Sequence, residues 1–350
     1  MTLSHVRIVG SGLIGTSIGL ALALKEVGVT MVDLDPRAQG LANDLVKSPS
    51  SAPIDLTIFA TPIGALSSVL DSEFGMNPNS GFIDIGSVKT KVKAEVTTSR
   101  LPLRRFLPSH PMAGREVGGA ESARADLFQG RPWIIDSAGV DSDVIEMATE
   151  LICLLGGHLV ELDSTEHDQA VALVSHLPQL ISSLLAKQLN RGAESWLNLA
   201  GAGLRDTTRI AGSDPTLWRE IATANSQALI PLLQSFQSDL NQLISSIADQ
   251  EAVADLIKDG QKGRARIPGK HGGKAREYTY LPIVIEDKPG QLAALFDECA
   301  AASVNVEDLT IEHSPGQFTG LITLALSQSD AEKLSSHLKE RSWSVHSPKK

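Results

Sequence analysis

The chain has 350 residues, 42% of them apolar, and a formal charge of −10 at neutral pH. That length supports two or three domains with their own cores. The acidic balance excludes a general attraction to nucleic acid or an anionic membrane, so an anionic substrate has to be met by a local cluster of arginines. Only Cys153 and Cys299 occur, in segments assigned to different domains and without metal-type spacing, which points to a reducing compartment, no disulfide and no metal. No apolar run is long enough for a bilayer and no leader pattern precedes the first strand, so the expected location is the cytoplasm.

From residue 5 to 163 short apolar runs alternate with segments of helical period: "HVRIVG", "VTMVDLD", "DLTIFATP", "GFIDIGS", "RFLPSHP", "RPWIIDS" and "HLVELD". This is the pattern of a parallel α/β sheet, and it predicts a Rossmann-type domain over residues 1–163. After Asp163 the strand signal stops, and "DQAVALVSHLPQLISSLLAKQL" and "SQALIPLLQSFQSDLNQLISSIA" predict an all-helical domain over 164–260. Residues 261–277, rich in glycine and basic side chains, read as a linker. Residues 278–350 then give strand, helix, strand, turn, strand, helix and strand, a small βαββαβ module.

Between the first strand and its helix, Gly10, Gly12 and Gly15 stand in G-x-G-x-x-G spacing, with Leu13 and Ile14 between the last two. The first two glycines allow a tight turn and close approach of a pyrophosphate, and the third lets helix pack on strand. Free N–H groups at the helix start suit the phosphates. Asp33 ends the second strand at the distance where an acid accepts the adenosine ribose hydroxyls, which favours NAD; Arg37 leaves NADP open.

Ligands of open parallel sheets sit at the carboxyl ends of the strands. Three motifs fall there: "FATP" with Thr61, "DIGSVK" with Ser87 and "SHPMAG" with His110. Each also has a structural reading: a strand end before proline, a cap for the helix beginning at Val88, and a satisfied loop histidine. In the helical region "SHLPQ" and "LRDTTRIAGSDPTLWRE" bring His176, Gln179, Arg205, Asp206, Arg209, Trp218 and Arg219, either as a polar pocket or as a salt-bridged surface.

In order, "GSGLIGTS", "FATP", "DIGSVK", "HPMAGRE", "EHDQAVALVSHLPQ" and "RDTTRIAGSDPTLW" resemble the prephenate and arogenate dehydrogenases of tyrosine biosynthesis, over about residues 5–250. The resemblance implies oxidative decarboxylation of a cyclohexadienol. His110 would accept the proton of the C4 hydroxyl, with Ser87 orienting His110 and that hydroxyl. Arg209 would hold a substrate carboxylate, and His176 and Asp206 match further pocket positions. Several members carry S-H-L-P-H where this chain has Gln179, next to the substrate side chain, so the choice between prephenate and arogenate stays open. "EDKPGQLAALF" resembles an ACT domain, which implies an effector, tyrosine as pathway end product, near Asp287, Pro289 and Gly290.

Two other classes compete. A β-hydroxyacid dehydrogenase also joins a Rossmann domain to helices but relies on a lysine there, for which Lys187 is the candidate. A dinucleotide-sensing regulator would not need Ser87, His110 and Arg209 together. The helices after Asp163 are too long and apolar for one packed layer, which predicts a homodimer.

Overall fold

The computed structural model describes residues 3–115, 117–267, 278–312 and 318–348. Contacts divide the chain into two compact units, Met1–Ser245 and Ser246–Lys350.

In the first unit β1 (His5–Val9), β2 (Gly28–Val32), β3 (Leu56–Phe59), β4 (Gly81–Asp84) and β5 (Phe106–Leu107) form a parallel sheet in the order β2-β1-β3-β4-β5. The crossovers are α1 (Leu13–Ala23), α2 (Pro36–Val46), α3 (Ser67–Met76) and α4 (Lys89–Thr98). Helices cover both faces, which is why the strands read as continuous apolar runs instead of alternating ones. One face packs Ile8, Ile58 and Ile83 with Ile18 and Leu22 of α1 and with Val144 and Leu151 of α5 (Ser142–Leu154). The other packs Phe59, Phe82 and Phe106 with Leu70 of α3 and Val92 and Val96 of α4. Each such side chain contributes about 1.5–3 kcal/mol by leaving water.

The expected strand "RFLPSHP" is two strands. Pro108, which has no N–H to donate, separates β5 from β6 (Ser109–Pro111), and the chain leaves β4 to pair with β7 (Pro132–Ile135). The β6–β7 pair is antiparallel, a departure from the expected parallel pattern, whereas β7 and β8 (His158–Glu161) are parallel. The reason is the connection: among the described residues between Pro111 and Pro132 the one helical element is the short turn Ala120–Ser122, with no crossover helix to carry the chain back.

Helices follow: α6 (Ser164–Val171), a π-turn at Ala172–His176, α7 (Leu177–Leu189), α8 (Glu194–Leu197), α9 (Ala202–Thr208), α10 (Pro215–Ala224), α11 (Ser226–Ser246) and α12 (Gln250–Ala265). The run Ser164–Leu189 is 26 residues and apolar enough to cross a membrane by length and composition, contrary to the sequence expectation. It also buries His167, Asp168 and His176 in a hydrogen-bonded network, as a helix of a folded core does. By contacts the helices up to residue 245 group with the sheet in one unit. Residues 261–265 of the expected linker continue α12, capped by Asp249, and residues 268–277 lie outside the described residues.

The second unit contains the expected βαββαβ order: β9 (Thr279–Glu286), α13 (Gln291–Ala301), β10 (Asp308–Glu312), β11 (Thr319–Leu326), α14 (Gln328–Glu340) and β12 (Ser344–Val345). Its sheet, β10-β11-β9-β12, is antiparallel throughout. Leu281, Ile283, Ile322 and Leu324 face Leu295 and Cys299 of α13 and Leu334 and Leu338 of α14.

Candidate active site

The glycine turn is built as a nucleotide cradle. Gly10 has φ +113°, and a Cβ there would stand 2.4 Å from the Ala60 carbonyl oxygen, next to Thr61, so only glycine fits. A Cβ on Gly15 would lie 2.1 Å from the Gly10 carbonyl oxygen, which fixes how closely α1 approaches β1. At Gly12, the N-cap of α1, a Cβ would meet nothing within 4 Å, so space opens beside the free N–H groups of the helix start. The Ser11 hydroxyl is buried without a hydrogen-bond partner. Asp33 accepts from the Ser11 N–H at 2.6 Å and from the Asp35 N–H at 2.9 Å, which aims its carboxylate at the turn with acceptor capacity to spare. An orphaned hydroxyl, an open N-terminus and a held carboxylate fit a dinucleotide.

His110, on β6, keeps part of its surface open to solvent. Its Nδ1 lies 2.9 Å from Nε2 of His167, with the rings edge to face. His167 Nδ1 lies 2.8 Å from Asp168 Oδ1. Asp168, though on α6, accepts from the main-chain N–H of Lys89 at 2.7 Å and of Thr90 at 2.9 Å, and from the Thr90 hydroxyl. It therefore caps α4 from another element. Ser87, half-buried between β4 and α4, is not the cap of that helix, whose N-cap position is Val88, and the hydrogen-bond partner of the His110 ring is His167. Both the carboxylate that caps α4 and the partner of His110 come from α6.

Beneath this chain lies a buried ion pair. Lys89 is 1% exposed, and its ammonium donates to Asp84 at the end of β4 and to the Ser109 carbonyl at 2.6 Å. Asp84 also accepts from the Ser109 N–H at 3.1 Å, and the Ser109 hydroxyl in turn receives the Trp133 indole N–H at 3.1 Å. His110 is thereby carried on a strand whose preceding residue is tied on every side. Asp136 anchors the start of α6, accepting from the Ser164 N–H at 3.0 Å and from Lys93 at 2.9 Å.

Electrostatics follow from this packing. Burial, with His167, Lys89 and His176 nearby, holds the His110 pKa well below its ordinary value, so the ring is neutral at neutral pH with a lone pair free to accept a proton. Burial alone would raise Asp168, but hydrogen bonds from His167, Thr90 and the Lys89 amide outweigh it and keep the carboxylate ionised. Burial lowers Lys89, against the opposing pull of Asp84 and Asp168. His176 falls to about 4, chiefly through burial.

The π-turn explains how His176 joins. On a regular helix the nine-residue separation would place it opposite His167; the extra residue of a π-turn rotates it back by about 100°, over Asp168. Asn225 spans the gap, donating to the Asp168 carbonyl at 2.8 Å and to His176 Nδ1 at 3.0 Å, while Trp218 packs edge-on at 5.9 Å. Arg209 and Asp206 are exposed, on the turn after α9 and on α9 itself. Gln179 is buried, and its amide donates to the Ile210 carbonyl at 2.8 Å. It ties α7 to the turn that carries Arg209. His167, Asp168, Lys89 and Asn225 were not singled out from sequence; the adjacent His-Asp pair in "EHDQ" was the available signal.

A parallel sheet with a glycine turn, and a neutral histidine held just past the carboxyl end of its last strand, is the arrangement of a Rossmann-type nucleotide-dependent oxidoreductase. The profile of the prephenate dehydrogenase nucleotide-binding domain matches residues 20–161, and that of the prephenate dehydrogenase dimerization domain matches residues 163–258. A cyclohexadienyl dehydrogenase of Zymomonas mobilis is 30% identical over 76% of this chain and 97% of its own length. A probable prephenate dehydrogenase, NovF, of Streptomyces niveus is 29% identical over 97% of this chain and 99% of its own. The chain belongs to the prephenate dehydrogenase family. A crystal structure of prephenate dehydrogenase from A. aeolicus, in complex with hydroxyphenyl propionate and NAD+, shares the fold at a TM-score of 0.67. It is 24% identical, and the match covers 75% of this chain and 98% of that one.

Proposed function

We propose that the protein is an NAD-dependent prephenate dehydrogenase, converting prephenate to 4-hydroxyphenylpyruvate and CO2. The observation that carries this reading is His110, neutral and anchored on β6, just past the carboxyl end of β5 in the sheet that bears the nucleotide turn. Gly10, Gly12, Leu13, Ile14, Gly15, Asp33 and Thr61 would hold the cofactor, which when bound supplies the electron-poor nicotinamide carbon that receives the C4 hydrogen with its electron pair. His110 takes the hydroxyl proton as the C4 carbonyl forms. It returns that proton to the same oxygen when the bond to the ring carboxylate breaks, CO2 leaves, and the electron pair restores the aromatic ring. Arg209 meets a carboxylate present throughout, so it serves binding more than rate.

The test is NADH absorbance with prephenate and with arogenate, each with NAD and NADP. Gln179 supplies no imidazole beside the substrate side chain, its amide being engaged with Ile210, and that makes arogenate the second substrate to compare. No turnover with either substrate would refute the reading.

The homodimer is supported by the dimerization-domain match and by exposed Leu184, Leu185, Phe236 and Leu240 on α7 and α11; light scattering on the purified protein tests it. The terminal module is assigned to the ACT class on its βαββαβ topology, with tyrosine as effector. Gly290, at φ +89° and the start of α13, has nothing within 4 Å of a Cβ position, which leaves room for a ligand beside Asp287 and Pro289. Calorimetric titration with tyrosine tests it, and no heat of binding would remove the effector.

A further inference from the structure

The chain of groups leading away from His110 determines which of its nitrogens carries the proton, a step that rests on the role given to His110 above. Both oxygens of Asp168 accept main-chain N–H groups, Oδ1 from Lys89 and Oδ2 from Thr90. An amide N–H cannot accept, so the carboxylate faces its neighbours as an acceptor only. The His167 proton therefore sits on Nδ1, donated to Oδ1 over 2.8 Å. With its ring proton on Nδ1, the facing Nε2 of His167 is the acceptor for His110 Nδ1–H at 2.9 Å. His110 is left with its lone pair on Nε2, on the opposite edge of the ring.

We propose that Asp168 and His167 are positioning residues that hold His110 in the Nδ1–H tautomer, leaving Nε2 as the acceptor for the substrate hydroxyl proton. The carboxylate is well suited to this. It sits at the positive end of α4, fixed by hydrogen bonds from two main-chain amides and the Thr90 hydroxyl. Asn225 donates to His176 Nδ1, so that ring does not compete for the His167–Asp168 contact. The charged and titratable groups around the relay are Lys89 and Asp84 from the sheet side and His176 from the π-turn.

The tautomer can be read without any substrate. Nitrogen-15 shifts of the histidine rings in the full-length protein should report a protonated Nδ1 and a bare Nε2 on both His110 and His167; a protonated Nε2 on His110 at neutral pH overturns the proposal. In kinetics, Asp168→Asn presents an amide to groups that only donate and turns the relay over, so kcat should fall about 10²- to 10³-fold with KM little changed. The acid limb of its kcat/KM profile should move to lower pH, since a negative charge that favoured protonation is gone. A lowered yield of active protein with an unmoved limb would mean that Asp168 is only a helix cap, and would overturn the proposal. His167→Gln, whose amide oxygen can accept from His110 Nδ1, should keep at least about tenfold more activity than His167→Leu; equal losses also overturn it. If the wild type turns over neither substrate, the functional reading fails while the nitrogen shifts still decide the tautomer.

Discussion

The two units of this chain stabilise their interiors differently. In the first, the carboxyl edge of the sheet buries Asp84, Lys89, Asp136, His167, Asp168 and His176 among apolar side chains. In the second, the buried polar residues among those described are Thr279 and Ser335, and the core of Leu281, Ile283, Leu295, Ile322, Leu324 and Leu334 is otherwise aliphatic. Burying charge is costly unless every group is paired, so a fold keeps such a cluster where chemistry needs it.

The largest expected effect is at the centre of the contrast. His110→Asn removes the base and should lower kcat by about 10²–10⁴-fold with KM nearly unchanged, measured as steady-state NADH formation; near-normal turnover would take His110 out of the mechanism. Next, Lys89→Met strands Asp84 as a buried, unpaired carboxylate and should cost about 3–5 kcal/mol in denaturant unfolding, with activity lost as well. Leu324→Ala in the second unit should cost a comparable ~2–5 kcal/mol through a cavity, yet leave kcat intact in protein that remains folded. If the two variants lose activity alike, the contrast between the units is wrong.

A pH series sharpens the same comparison. The His176 pKa is lowered from 6.5 to about 4 in the fold, so above pH 6.5 its contribution is fully present. As pH falls from there toward about 4, the unfolded chain binds a proton that the folded one refuses, and stability drops. Denaturant midpoints should follow that decline in the wild type and fall less steeply in His176→Gln, the remaining slope coming from His110, which is also held below its ordinary value; an unchanged slope would show that His176 is not a group involved. The smallest effect is at the cofactor. Asp33→Ala should shift the NAD to NADP ratio of kcat/KM toward NADP by about tenfold, since a charge-assisted contact to the ribose is lost along with a repulsion of the 2′-phosphate. A fixed ratio would mean that the selector lies elsewhere.

Much of the first unit was legible because its signals are local. Gly10, Gly12 and Gly15 lie within one turn, Asp33 closes the next strand, and apolar runs bounded by turns announce β1 to β4. His110 stood out by its place at a strand end, and the terminal βαββαβ order could be read from alternation and spacing alone. The site's supports could not be read that way. Asp168 reaches the N–H of Lys89 across 79 positions, and no propensity or period marks a side chain that caps another element's helix.

The class of fold, the nucleotide turn and the place of His110 at a strand end are written locally, because backbone geometry and hydrophobic period act over a few residues. Packing of distant segments sets the rest: β6 turns away from the parallel sheet at Pro108, Gln179 braces a turn, and His167 is the partner of His110. The reason is the cost of a buried polar group. Each of these side chains goes where its hydrogen bonds can be completed, and those partners exist only once distant segments have packed together.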